Sequence, residues 1–376
     1  MQTSITRRRF VLCASAIAAG CLRPTTWLTA QEAKPATATQ VRWHDVREWG
    51  VEGKGWTDTE KYYDRLPARA KGKVRDAVWN LSRHSAGMLT RFRTDAQELW
   101  VDYEVTSKNI AMPHMPATGV SGVDLYAEIS DGQWRWLSVS KPTDQRTNAQ
   151  LISGLAAGSR AYTAYLPLYN GTESLKIGVP EGASFEPIAP RGDKPMLFYG
   201  TSITHGACAS RPGMPHPAIL GRRLNRPVIN LGFSGNGRME AQVGEFLTEV
   251  DASVFVIDCL PNMKGPEVAQ SALPLVKQLR AARPNTPILL VEDRTYPNAY
   301  LLPGRQQALD QNRAALQAAY RQLLSDGATQ LGYVRGDDLL GEDRDDTTDG
   351  SHPSDLGFYR QADALEKELV KLLAKS

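Results

Sequence analysis

With 376 residues, 41% of them apolar and 23% charged, the chain is long enough for two cores and has an ordinary globular composition. Its net charge of +3 comes from the N-terminus: residues 1–30 carry Arg7, Arg8, Arg9 and Arg23 and no acid, and without them 40 basic residues face 41 acidic ones. That balance leaves no basic footprint for nucleic acid. Two of the four cysteines fall within the first 21 residues, so the remaining two, Cys208 and Cys259, make no disulfide framework and leave room for one bridge at most.

The first element is a targeting segment. Thr6-Arg7-Arg8-Arg9-Phe10-Val11-Leu12 has the twin-arginine form, and the apolar run that follows, Val11 to Leu22, is too short to span a membrane. Residues 1–30 are therefore expected to direct export, to a periplasmic or extracellular location. Leu28-Thr29-Ala30 offers a cleavage point. Ala18-Ala19-Gly20-Cys21 has a lipobox-like form without the usual leucine, so membrane attachment is expected only if Cys21 is lipidated. Residues 31–40, QEAKPATATQ, read as a polar linker.

Residues 41–190 read as β-structure. Alternating runs occur at 88–94, 98–105, 122–129, 133–140, 162–168 and 174–179, with turn signals SDG at 130–132 and YNGTE at 169–173 between them. Short period-2 strands at this spacing predict an antiparallel β-sandwich or jelly roll. Trp134 and Trp136 alternate on one of these strands. Both therefore face one side, where the sandwich interior is the expected place for them and a sugar-stacking platform the rival one.

The pattern changes at EPIAPRGDKP, residues 186–195, whose three prolines discourage regular structure. From residue 191 to 376, apolar runs at 196–199, 227–232, 253–258, 287–291 and 330–334 alternate with helical stretches near 216–224, 238–249, 266–282, 304–325 and 355–374. This describes an α/β fold, a parallel sheet with helices on both faces.

The chemistry-bearing residues gather at the carboxyl ends of those runs, where an open α/β sheet binds its ligands. Met196 to Tyr199 stops at Gly200, and Ser202 follows on the turn. Asp349 and His352 stand three residues apart in DGSHPSD, ahead of the last helix. A hydroxyl, an imidazole and a carboxylate from distant points are what nucleophilic acyl transfer needs. Gly235 in NLGFSGNG and Asn262 in IDCLPNM end the second and third runs. With the N–H of Ser202, their donors could hold an oxyanion.

In this order, GTSIT, SGNG, LPN and DGSH resemble the four blocks of the SGNH (GDSL) hydrolase superfamily over residues 194–376. Thr201 stands where the first block usually has aspartate, and LPN is a divergent third block. The resemblance implies a three-layer α/β/α domain with Ser202 as nucleophile, Asp349 and His352 completing the triad, and Gly235 and Asn262 in the oxyanion hole. SAGMLTRFRTD, MPHMPATGVSGVDLY and YLPLYNG resemble the β-sandwich domain that precedes some SGNH esterases. Two-domain acetylesterases of carbohydrate esterase family 2 share this arrangement, which implies an acetylated poly- or oligosaccharide as substrate.

The expected function is thus an exported serine esterase that removes acyl groups, chiefly acetyl, from carbohydrate, with no metal or organic cofactor. The alternatives are a lipase or general acylhydrolase and a non-catalytic carbohydrate-binding surface protein. A long-chain enzyme needs an apolar groove or lid, and no insertion of that kind stands out. His205, on the same turn as Ser202, and Arg294, after the fourth run, are candidate substrate-binding residues, whereas His216 reads as local structure at a helix start. The acidic run GEDRDDTTDG, 341–350, lacks the glycine and glutamate of an EF-hand loop and reads as a solvated loop. No Cys/His group has zinc-site spacing, and no P-loop or dinucleotide fingerprint forms.

Overall fold

The computed structural model describes residues 39–129 and 133–374; the twin-arginine segment, Cys21 and all but the end of the linker lie outside them. Among the described residues, the N-terminal part holds nine strands: β1 (Val41–Asp45), β2 (Leu89–Thr94), β3 (Glu98–Val105), β4 (Asp124–Glu128), β5 (Trp134–Val139), β6 (Arg146–Ser153), β7 (Arg160–Tyr165), β8 (Thr172–Pro180) and β9 (Phe185–Ile188). They form two antiparallel sheets, ordered β1-β8-β3-β6 and β5-β4-β7-β2-β9. Period-2 alternation decides which side chains meet between the sheets. On β3, Leu99, Val101, Tyr103 and Val105 are buried while Trp100, Asp102 and Glu104 turn outward. The inward set joins Phe92, Leu125, Tyr162, Leu175 and Ile177 in one core. The predicted sandwich is present.

Trp134 and Trp136 depart from the expectation. The register pairs Trp136 with Tyr126, so both tryptophans take the face away from the sandwich core, which Leu137 enters instead: Trp134 packs against Tyr126, Tyr165 and Ala218, and Trp136 is 49% exposed. Its Nε1 donates to Asp124 Oδ1 at 2.9 Å, and the Arg211 guanidinium lies over its ring at 4.9 Å.

Between β1 and β2 the chain forms no strand, only an isolated antiparallel bridge from Glu52 to Leu89. It carries helix α1 (Asp76–Ser82) and two 3-10 turns, at Val46–Glu48 and Ala68–Ala70. Trp56, Leu66, Val74, Val78 and Trp79 from this stretch pack into the core of the C-terminal part, against Phe233, Val243 and Phe246. A further short helix, α2 (Ala117–Val120), follows β3.

The C-terminal part alternates strands and helices: β10 (Met196–Gly200), α3 (Ser202–His205), α4 (His216–Arg223), β11 (Val228–Gly232), α5 (Ala241–Glu249), β12 (Val254–Asp258), α6 (Gly265–Ala282), β13 (Ile288–Val291), α7 (Pro303–Ser325), β14 (Leu331–Val334) and α8 (Asp355–Leu373). The strands are parallel in the order β11-β10-β12-β13-β14. Successive residues serve opposite faces. Leu197, Tyr199, Phe255 and Ile257 meet α5, α6 and α7, whereas Met196, Phe198, Val254 and Val256 meet α4 and α8. Burial on both faces explains why these strands read as unbroken apolar runs. The strand order reverses at β10, between β11 and β12, and such a switch point opens a crevice at the carboxyl ends. Among the described residues no helix is long and apolar enough to cross a membrane.

Candidate active site

Ser202 opens α3 two residues beyond the end of β10. Thr201 is the cap of that turn, its Oγ1 accepting the N–H of Ile203 at 3.2 Å, so a hydroxyl does the capping work a carboxylate could do. The Ser202 Oγ stands 2.8 Å from Nε2 of His352, and Nδ1 of His352 stands 2.7 Å from Oδ2 of Asp349. The other carboxylate oxygen accepts the N–H groups of Ser351 at 2.9 Å and His352 at 2.7 Å. Partial burial opposes ionisation of Asp349, but the hydrogen bonds from the His352 side chain and from the two backbone N–H groups outweigh it. Its carboxyl is held below the usual range.

The second and third loops meet beside Ser202. Gly235 has φ +70°, a left-handed conformation that favours glycine, and is exposed. Two residues on, Gly237 approaches β10 so closely that a Cβ would sit 1.9 Å from the Gly200 carbonyl oxygen. Asn262 ends a 3-10 turn, Leu260–Asn262, after β12. With its Oδ1 accepting the N–H groups of Asn236 at 3.0 Å and Gly237 at 3.2 Å, its NH2 is turned the other way. The four blocks of sequence thus converge at one edge of the sheet.

Two expected substrate-binding residues do not line this space. His205 is fully buried: its Nε2 faces the Leu168 carbonyl at 2.7 Å, and its ring stacks on Tyr169 with centroids 4.1 Å apart. Burial, with Arg65 and His84 nearby, lowers its pKa well below the usual value, so it is a neutral packing group. Arg294, only 2% exposed, lies behind the Asp349–His352 loop. Its Nε and Nη2 donate to the Ser351 carbonyl at 3.0 and 2.7 Å, Nη2 also reaches Ser351 Oγ at 2.7 Å, and Nη1 pairs with Asp293. His216 begins α4 and is buried, as expected of local structure. Cys208 and Cys259 are free, buried thiols and form no bridge. The acidic run is an ordered salt-bridged loop, in which Asp343 and Asp346 hold Arg360.

One neighbour escaped sequence reasoning. His114 comes from the N-terminal part and brings its ring centroid within 6.1 Å of that of His352. Ligand atoms of His114, Cys208, Asp349 and His352 all lie within 4.8 Å of one another. No spacing rule could reveal this group, because three separate loops supply it.

A doubly wound, flavodoxin-like parallel sheet in the order 2-1-3-4-5, with a Ser-His-Asp hydrogen-bonded chain at its switch point, is an arrangement that suits a hydrolase. The family comparisons agree. Residues 193–370 match the GDSL-like lipase/acylhydrolase family, and residues 41–185 match the N-terminus of SGNH-hydrolase-type esterases. A GDSL-like lipase structure from Bacteroides ovatus ATCC 8483 shares 30% identity at TM-score 0.85, over 90% of this chain and 99% of that one. The chain belongs to the GDSL-like lipase/acylhydrolase family. A salicylyl-acyltransferase from a tetracycline biosynthetic pathway (18% identity, TM-score 0.70, 88% of this chain and 97% of that one) shares the fold. So does a family two carbohydrate esterase from Cellvibrio japonicus (10%, 0.57, 89% and 99%). Among curated proteins no sequence match was found.

Proposed function

We propose that the protein is an exported serine esterase that removes short acyl groups, chiefly acetyl, from carbohydrate, with Ser202, His352 and Asp349 as its triad. The observation that carries the reading is the chain of two contacts, 2.8 Å from Ser202 Oγ to His352 Nε2 and 2.7 Å from His352 Nδ1 to Asp349 Oδ2. In the proposed cycle, Ser202 Oγ attacks the ester carbonyl carbon while His352 Nε2 takes its proton. The N–H groups of Ser202 and Gly235 and the NH2 of Asn262 receive the charge that develops on the carbonyl oxygen. His352 then protonates the departing alkoxide, leaving an acyl-Ser202 intermediate. Water, deprotonated by His352, displaces the carboxylic acid and restores the hydroxyl. The carbohydrate leaving group rests on the fold shared with family two carbohydrate esterases.

The test of the chemistry is Ser202→Ala, assayed on p-nitrophenyl acetate. Turnover should fall by roughly 10⁴–10⁶-fold with an unchanged thermal transition, and near-normal turnover would remove Ser202 from the mechanism. Acetate release across a panel of acetylated polysaccharides tests the substrate class.

A second reading has its own observation. Tyr300, Leu301 and Leu302 are 67%, 71% and 45% exposed, an apolar patch that the sequence did not suggest. It follows Asn298, which is tied to the Asp349–His352 loop through Arg305: Nη1 donates to Asn298 Oδ1 at 2.8 Å and to the Gly350 carbonyl at 3.3 Å. An apolar segment bordering the reacting groups suits a longer acyl chain. Activity profiled from acetyl to decanoyl esters separates the two readings. A preference for long chains that is lost in Leu301→Ser would favour the acylhydrolase.

A further inference from the structure

We propose that His114, Cys208, Asp349 and His352 form a site for a thiophilic divalent cation, Zn²⁺ in chemical character, whose occupation takes the His352–Asp349 pair out of catalysis. The inhibitory half of this inference rests on the esterase reading; the binding half does not.

The donor set argues for the metal. Two imidazoles, one thiolate and one carboxylate are ligands that zinc accepts, in a tetrahedral shell at about 2.0–2.3 Å per bond. The four donor atoms already lie within 4.8 Å of one another, so a contraction of about 1 Å brings them to the spacing such bond lengths need.

Their supports suggest preformed positions. His114 sits at the tip of a two-residue hairpin, where Met112 and Met115 exchange N–H to carbonyl bonds, each at 3.0 Å. Pro113 and Pro116 stiffen the backbone on either side. Met115 anchors the hairpin in the same core cluster as Cys208. Cys208 has φ +68°, unusual for a residue with a side chain, and its buried thiol lies near Thr348 and Asp349. Asp349 and His352 are fixed by their mutual bond and the backbone N–H groups around it.

Occupation would displace the thiol proton and draw a ring nitrogen of His352 and an oxygen of Asp349 toward the cation. His352 could then no longer both accept the Ser202 proton and be oriented by Asp349. Zinc would act as a reversible brake.

The test uses the purified chain and two readouts. Titration with Co²⁺ should produce a thiolate-to-metal charge-transfer band in the wild type and in Ser202→Ala, and none in Cys208→Ser. ZnCl2 should inhibit hydrolysis of p-nitrophenyl acetate. His114→Ala, on an exposed loop and outside the reacting groups, should keep basal turnover while raising the half-inhibitory zinc concentration by at least about 10-fold, the loss expected even for an outer-shell partner. Absence of the cobalt band in the wild type, or zinc inhibition unchanged in His114→Ala, would overturn the site. Stimulation by zinc would overturn the brake. A cobalt band in a protein that hydrolyses no ester would sink the esterase reading and leave the metal site standing.

Discussion

Asp349 orients His352 through geometry that an amide would imitate only in part. Its Oδ1 accepts two backbone N–H groups and its Oδ2 faces Nδ1 at 2.7 Å. In Asp349→Asn the backbone bonds to Oδ1 can persist, but the NH2 would face Nδ1 and favour the tautomer whose Nε2 already carries a proton. That nitrogen cannot take the Ser202 proton. Turnover should fall about 10⁴-fold, measured on p-nitrophenyl acetate, with a thermal midpoint close to the wild type. A second carboxyl presents the opposite case. Asp258, at the end of β12, is wholly buried, accepts one hydrogen bond from Thr204 Oγ1 at 3.0 Å, and has its pKa pushed up to about 7. Desolvation is the main cause and outweighs the Thr204 bond and the distant Arg294 charge. A carboxyl raised above its unfolded value favours the folded state fully below about pH 4 and loses that contribution as pH rises through about 7. Asp258→Asn keeps the Thr204 bond and removes the titration. Its stability relative to the wild type should therefore rise between pH 4 and pH 7, read as denaturant midpoints on either side of that window, and parallel pH profiles would refute the assignment.

The loop between β14 and α8 must hold Asp349 and His352 against Ser202 without a strand or helix beneath it, and Arg294 supplies the missing rigidity. Its fork grips the Ser351 carbonyl and hydroxyl, and its own charge is paired with Asp293. Arg294→Lys keeps the charge but loses the planar fork. It should lower kcat about 10-fold with little change in KM, because a misplacement of the reacting groups is felt in the chemical step. A rise in KM alone would mean that the residue binds substrate instead. Elements were legible in the sequence where packing is two-sided. All five parallel strands announce themselves as apolar runs because helices cover both faces. The four site loops follow those runs, so Ser202, Gly235, Asn262, Asp349 and His352 could be placed at one edge. Elements were hidden where packing is one-sided or distant. Strand β6, RTNAQLIS, lies at a sheet edge with an irregular exposure pattern and shows no clean alternation. Trp136 alternates as a core residue would, but the register with β4 turns it to the outer face. His205 and Arg294 have polar side chains that find partners inside the protein, the Leu168 carbonyl and Ser351, which spacing along the chain cannot distinguish from facing a ligand. His114 and Cys208 reach the Asp349–His352 pair through folding alone.

The stretch between β1 and β2 ties the molecule together more than its place in the sequence suggests. It lies between two β-sandwich strands yet lends Trp56, Leu66, Val74, Val78 and Trp79 to the core beneath the parallel sheet. Arg65, wholly buried and without a carboxylate partner among the described residues, donates to carbonyls from both parts: Asn230 and Gly232 at 2.9 Å each, His84 at 2.9 Å and Leu81 at 2.6 Å. Its guanidinium also lies over the Phe233 ring at 5.2 Å. Burial of those five side chains at about 1.5–3 kcal/mol each is worth roughly 8–15 kcal/mol, an upper figure comparable with the whole stability of an ordinary domain. A fragment of residues 191–376 would therefore expose the face formed by Phe233, Val243 and Phe246 and leave the Asn230 and Gly232 carbonyls without their cationic donor. Expressed alone, that fragment should bind a hydrophobic dye, lack a cooperative thermal transition and hydrolyse no ester, whereas residues 39–376 should melt cooperatively and retain activity. A fragment that melts as sharply as the longer chain would show that the α/β part carries its own core, and that the Trp56–Trp79 stretch is only a cover laid over it.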